Sequence, residues 1–158
     1  MTPTQDCLNQ KKGVARAFLK MIEENLAWTI FWYRYVDHID DEYMHHIRLS
    51  EEMKESFPKF MKKGFSERAH SQGIGRHSNE EIYKLDVMTF VPFRIIWKIK
   101  SSLWEDNPTL IDCALFGMLT QIVYVPMNYP MKKVIETECQ KYNKVTRTNK
   151  DLVLATLG

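Results

Sequence analysis

The densest run of potentially reactive side chains is Asp37, His38, Asp40, Asp41, Glu42, His45 and His46. On a helix His38, Asp41 and His45 would share a face, and imidazole with carboxylate is a ligand set that zinc accepts. The spacing matches neither a metalloprotease helix nor a zinc finger. The run therefore reads as a solvated polar connection, and the expectation is no metal and no other cofactor. A second candidate is Gly73-Ile74-Gly75-Arg76, where backbone N–H groups ahead of a helix could cradle an anion. The full GxGxxG pattern and the Lys-Ser/Thr pair of a phosphate loop are missing. A helix stop followed by a helix start accounts for the same residues. Cys113 falls in the first turn of a helix, where the dipole could lower its thiol pKa. Its neighbours Ile111, Ala114 and Leu115 instead predict a buried, inert thiol. Cys7 and Cys139 have no adjacent base. No catalytic residue is assigned.

Helices must carry all of these residues. From about Lys11 to Val36, the residues Val14, Phe18, Met21, Trp28, Trp32 and Tyr35 recur at helical spacing. Beyond Glu24 the pattern turns apolar nearly all round, from Leu26 to Tyr33, so this stretch must be buried on several sides or covered by something else. A polar break follows, then a short helical stretch over Tyr43 to Leu49. Ser50 precedes a helix opening with Glu51 and Glu52, which Pro58 is expected to interrupt and Gly73 to end. Ser78-Asn79-Glu80-Glu81 is a capping box that starts the next helix, which Pro92 is expected to kink or split. Thr109-Leu110-Ile111-Asp112 has the same spacing, with Asp112 in the reciprocal role. Pro126 ends the apolar run that follows, and Pro130 suits a first helical position. No stretch alternates with period two and no hairpin dipeptide occurs. The fold class is all-α, a bundle of five to seven helices.

The totals agree with one domain. The chain has 158 residues, 44% of them apolar and 27% charged, with a formal net charge of +2. These values fit a globular chain and give no general affinity for polyanions. No basic stripe is interleaved with aromatics, so nucleic acid is not an expected partner. Three widely spaced cysteines without a CxxC pair point to a reducing compartment. Leu26 to Tyr33 is too short to span a bilayer, and Leu85 to Trp97 is interrupted by Asp86, Pro92 and Arg94. Spanning needs roughly 20 mostly apolar residues, so no transmembrane segment is expected.

Two motifs together resemble a known family. Asn-Pro-Thr-Leu-Ile-Asp-Cys-Ala-Leu-Phe-Gly, containing Thr109 and Asp112, resembles the capping box and core helix of the glutathione S-transferase C-terminal domain. Ser71-Gln72-Gly73-Ile74-Gly75-Arg76-His77-Ser78-Asn79-Glu80-Glu81-Ile82-Tyr83 looks like the glycine-containing turn of the failed axon connections family, a metaxin-like branch of that superfamily. Its signature residues here are Gly73, Gly75, Arg76, His77, Ser78 and Glu81. Ala15-Arg16-Ala17-Phe18 to Met21-Ile22-Glu23-Glu24 looks like the first helix of the same domain. The likeness runs from about Gln10 to Tyr142. Phe90-Val91-Pro92-Phe93 and Leu103-Trp104-Glu105-Asp106 depart from it, lacking the family's aromatic-Gly-Asp turn.

The resemblance implies residues 1–10 as a lead, 11–142 as the helical domain and 143–158 as a basic tail. It also implies a family plan in which a thioredoxin-like domain precedes the helical one, and this chain is expected to supply the helical half alone. In the superfamily the thiol-activating residue sits in the thioredoxin-like half, so a non-enzymatic interaction domain is expected, with a setting in axon development. The partner would be a protein, either a thioredoxin-like domain or a second copy, meeting an interface that includes Trp28, Phe31, Trp32 and Tyr33. The alternative is one part of a transferase-like enzyme or ligandin. Cytoplasmic location is expected, with attachment to the mitochondrial outer membrane as the alternative; Leu152 to Leu157 is too short for an anchor.

Overall fold

The computed structural model describes residues 3–40, 42–99 and 109–138, and these are helical with no strand among them. Helix α1 (Pro3–Met21) runs without a break into a π-helical turn, Ile22–Leu26, then α2 (Ala27–Trp32), then a second π-helical turn, Tyr33–Asp37. The helix begins eight residues ahead of the expected Lys11. Proline is well placed at such a start, since its missing N–H would have no partner there. His38 leaves helical geometry at φ −118°, ψ 29° and ends the rod.

A 3-10 turn, Tyr43–His46, replaces the short helix expected there. Helix α3 (Glu51–Gln72) and helix α4 (Asn79–Ile99) follow, joined by the 3-10 turn Ile74–Arg76. Both remain single helices despite Pro58 and Pro92. Each proline leaves the carbonyl four residues earlier without its helical donor. Those carbonyls belong to Lys54 and Met88, both on the exposed side, where water can replace the lost bond. Helix α5 (Leu110–Val123) and helix α6 (Pro130–Glu138) complete the described chain, with Pro130 first in its helix as its ring predicts. Leu103 to Asp106, Cys139, Tyr142 and the 143–158 tail lie outside the described residues.

The rod of α1 and α2 is the axis of the packing. Its residues Ile22, Leu26, Ile30 and Tyr33 meet Phe90 and Phe93 of α4, Ile111, Leu115, Leu119 and Ile122 of α5, and Met131 and Ile135 of α6. On another side Trp28 and Trp32 pack onto Ala69, Ile74 and Ile82. The apolar-all-round segment is thus covered on two sides by its own chain. Ile22, Leu26, Ile30 and Tyr33 follow one another at intervals of four, four and three residues, which keeps them on one face of the rod.

Cys113 is exposed, not buried. The buried face of α5 is Ile111, Leu115, Leu119 and Ile122, and Cys113 lies two residues from Ile111, about 200° round the helix. Apolar sequence neighbours do not share a helix face.

Candidate functional site

The turn between α3 and α4 is built from backbone demands first. Gly73 sits at φ +119°, a left-handed value that disfavours any side chain. Gly75 has no such φ, but a Cβ there would lie 2.7 Å from the His70 backbone nitrogen and 2.8 Å from the Ala69 carbonyl carbon. The first glycine is needed for conformation and the second for space. Gly73 N–H donates to the Ala69 carbonyl at 2.9 Å, and Arg76 Nε donates to the His70 carbonyl at 3.0 Å. Gly73 and Arg76 therefore each satisfy one carbonyl at the end of α3.

Ser78 and Glu81 then form the expected capping box. Ser78 N–H and Oγ donate to Glu81 Oε2 at 2.9 and 3.0 Å, and Glu81 N–H donates to Ser78 Oγ at 3.3 Å. These bonds hold the Glu81 carboxyl below its ordinary value. His77 lies 3.8 Å from the same carboxylate. The second box closes likewise, with Thr109 N–H and Oγ1 donating to Asp112 Oδ2 at 2.8 and 2.7 Å.

This turn is latched to the rod. Gln72 Nε2 donates to the Glu24 carbonyl at 2.8 Å, and Trp32 Nε1 donates to Asn79 Oδ1 at 2.9 Å. Asn79 Nδ2 in turn donates to Asp37 Oδ1 at 2.7 Å, and the Tyr83 hydroxyl donates to Asp37 Oδ2. Burial, then the Asp37 carboxylate, pushes the Tyr83 phenol far up. Tyr33 is raised in the same way, by burial and by its 2.9 Å bond to Glu42. Glu42 also accepts from Asn128 N–H at 2.6 Å and Nδ2 at 2.9 Å, which ties the α5–α6 connection to the rod. The phenols remain neutral donors, suited to holding carboxylates in place.

Arg34, in the second π turn, is only 7% exposed and engages no carboxylate among the described residues. Nε donates to the Tyr129 hydroxyl at 3.0 Å, Nη1 to Gln121 Oε1 at 3.3 Å and Nη2 to the Gln121 carbonyl at 3.2 Å. The Tyr43 ring lies 5.4 Å from the guanidinium carbon and the Tyr35 ring 5.9 Å. Burial opposes its charge, the Tyr129 and Tyr35 oxygens favour it, and the balance leaves it above the ordinary arginine value.

Asp86 of α4 is the opposite case. It is 5% exposed, and its Oδ1 lies 2.6 Å from Thr29 Oγ1, which is itself 2.9 Å from the Leu26 carbonyl oxygen. Thr29 has one hydrogen for two acceptors. Asp86 Oδ1 and the Leu26 carbonyl compete for that hydrogen, so Thr29 compensates the buried carboxylate only in part. Burial pushes the carboxyl from 3.8 up to about 7, against the lowering effect of Thr29.

Of the anticipated interface, Tyr33 is buried in the core, while Trp28, Phe31 and Trp32 stay partly exposed. Among the described residues no three His, Cys, Asp or Glu side chains are grouped to hold a metal ion. His38 packs on the Tyr33 ring at 4.1 Å, His45 and His46 are exposed, and Asp41 lies outside the described residues. Sequence reading passed over Arg34, Asp86 and Thr29. The signal available was a charge inside an apolar stretch, which for Asp86 and Arg34 marks a buried polar contact. No helix of the described residues is long and apolar enough to cross a membrane.

No family model and no solved structure matches the chain. Failed axon connections of Drosophila melanogaster is 28% identical over 144 residues, covering 82% of this chain and 34% of that protein. The chain thus spans about a third of the length of this curated relative. The chain is thus distantly similar to Failed axon connections across most of its own length.

Proposed function

We propose that this chain is a non-enzymatic helical interaction domain that works by binding another protein. The supporting observation is a ridge on α4. Leu85, Met88 and Ile95 follow one face of the helix with Pro92 between them, and Met88 is 67% exposed. The opposite face buries Ile82, Asp86, Thr89, Phe90 and Phe93. Apolar side chains in a row on an exposed face mark a contact surface better than the same residues scattered singly. Trp28, Phe31 and Trp32 add half-covered aromatic surface. The relative's name sets the proposed context, the making of axon connections, and cytoplasmic location goes with it.

The test compares the immobilised chain with a Met88→Glu/Ile95→Glu variant in partner capture from neural extract. Capture by the native chain of a stoichiometric protein, with recovery down on the order of 10- to 100-fold for the variant at unchanged thermal melting, is the expected outcome. Equal recovery by both would refute the ridge. Retention of the chain on glutathione with turnover of an electrophile would favour the transferase-like alternative.

A further inference from the structure

We propose that the outer face of α3 is a self-association surface, on which a second copy of this chain docks antiparallel about a two-fold axis near Pro58 and Lys59. It lies on a different helix from the α4 ridge and does not rest on that reading.

Helix α3 turns Pro58 and Ala69 inward, with Met61 and Phe65 partly covered beside them. Away from that face, Met53, Phe57, Phe60 and Gly64 succeed one another at intervals of four, three and four residues. That is the spacing of a seam between two helices. Phe60 is 75% exposed, the most exposed large apolar side chain among the described residues, and Met53 is 46% exposed. Gly64 ends the seam. Glycine weakens a helix interior, and nothing in this chain requires it there, because an added Cβ would meet no atom within 4 Å. In the antiparallel arrangement Gly64 is the notch that receives Met53 of the second copy, while Phe57 meets Phe60. The axis then makes each contact twice, as an isologous dimer demands.

Charge fixes the direction. Ahead of Pro58 stand Glu51, Glu52 and Glu55 with Lys54 as the lone base, and after it stand Lys59, Lys62 and Lys63 with no acid before Glu67. Antiparallel docking lays the acidic end of each helix along the basic end of the other. Parallel docking would set like charge on like, so complementarity selects the orientation. Among the described residues Lys54 pairs with Glu51, Lys59 with Glu55 and Lys62 with Asp40, whereas Glu52 and Lys63 engage no ion pair there.

Sedimentation of the full chain over a range of concentrations tests this. The native chain is expected to approach the dimer mass as concentration rises. Phe60→Glu, at an exposed position, should associate on the order of 30-fold more weakly or not at all, the loss of one central aromatic anchor, with unchanged helical circular dichroism. Glu52→Lys/Glu55→Lys and Lys59→Glu/Lys63→Glu should each be monomeric alone and dimeric when mixed in equal amounts. Met88→Glu should leave the dimer intact, which separates this surface from the ridge. A native chain that stays monomeric, a dimer that survives Phe60→Glu, or an equal mixture that stays monomeric overturns the proposal.

Discussion

Arg34 in the rod and Asp86 packed against it are both ionisable and both buried, and neither pairs with an opposite charge in the described structure. They meet the penalty for burying charge in opposite ways. Arginine keeps its charge because its proton is held too firmly to lose, and five N–H donors let neutral oxygens share the cation. Tyr129 and Gln121 supply those oxygens, and two tyrosine rings face the guanidinium. Asp86 has one neighbour of use, Thr29, whose hydrogen has another claimant in Leu26. It keeps its proton up to about pH 7 instead. A buried acid can escape its charge by binding a proton; a buried arginine has to be solvated by the fold.

The largest effect expected from this contrast is on the pH dependence of stability. In the unfolded chain Asp86 ionises near 3.8, and in the fold at about 7. Between those values the folded state holds a proton that the unfolded state releases, so raising pH favours unfolding. The contribution is intact below about pH 4, is lost as pH rises to 7, and stays lost above that. The loss is about 4 kcal/mol, taken at about 1.4 kcal/mol for each factor of ten in acidity. Asp86→Asn keeps a donor to Thr29 and cannot ionise. Chemical denaturation from pH 4 to 8.5 should therefore show this component in the native chain and not in the variant, with the variant the more stable at pH 8. An unchanged slope in Asp86→Asn would place the charged form in the fold and end the contrast.

Arg34→Met comes next. It leaves the buried Tyr129 hydroxyl without its donor, for about 2–3 kcal/mol. Because the guanidinium does not titrate, the loss should be the same at pH 5 and pH 8. A loss that varied across this range would mean that Arg34 is coupled to an ionising neighbour after all. Thr29→Val follows at about 2 kcal/mol, removing the partner of Asp86. Since the Thr29 bond lowers the Asp86 value, its removal should move the pH-sensitive window upward. Smallest is Tyr43→Leu, which takes one ring from the guanidinium and should cost about 1 kcal/mol. Equal melting of Tyr43→Leu and native chain would show that the neutral oxygens alone hold Arg34.

The two glycines of the α3–α4 turn separate what was legible from what was not. Gly73 could be read as a helix stop because its requirement is local: the backbone there passes through positive φ. Gly75 carries a demand of another kind, set by the end of α3 folding back against it. Its place in the motif was visible and its reason was not. The same division holds for side chains. Cys113 took the environment opposite to the one expected, since a residue's neighbours in sequence are not its neighbours in space.

The amino-acid sequence by itself determined the all-α class, both capping boxes, the helix stop at Gly73 and the start at Pro130. Each rests on contacts spanning three or four residues, or on the ring of a proline. The tertiary structure alone decided that Leu26 to Tyr33 is covered on two sides, that Asp37 joins Asn79 and Tyr83, and that Arg34 reaches Tyr129. The hydrogen bonds of Asp37 and Arg34 join residues 42 to 95 positions apart. The first π-helical turn of the rod packs against α4 and α5 and the second against α3, elements that are remote from it in sequence.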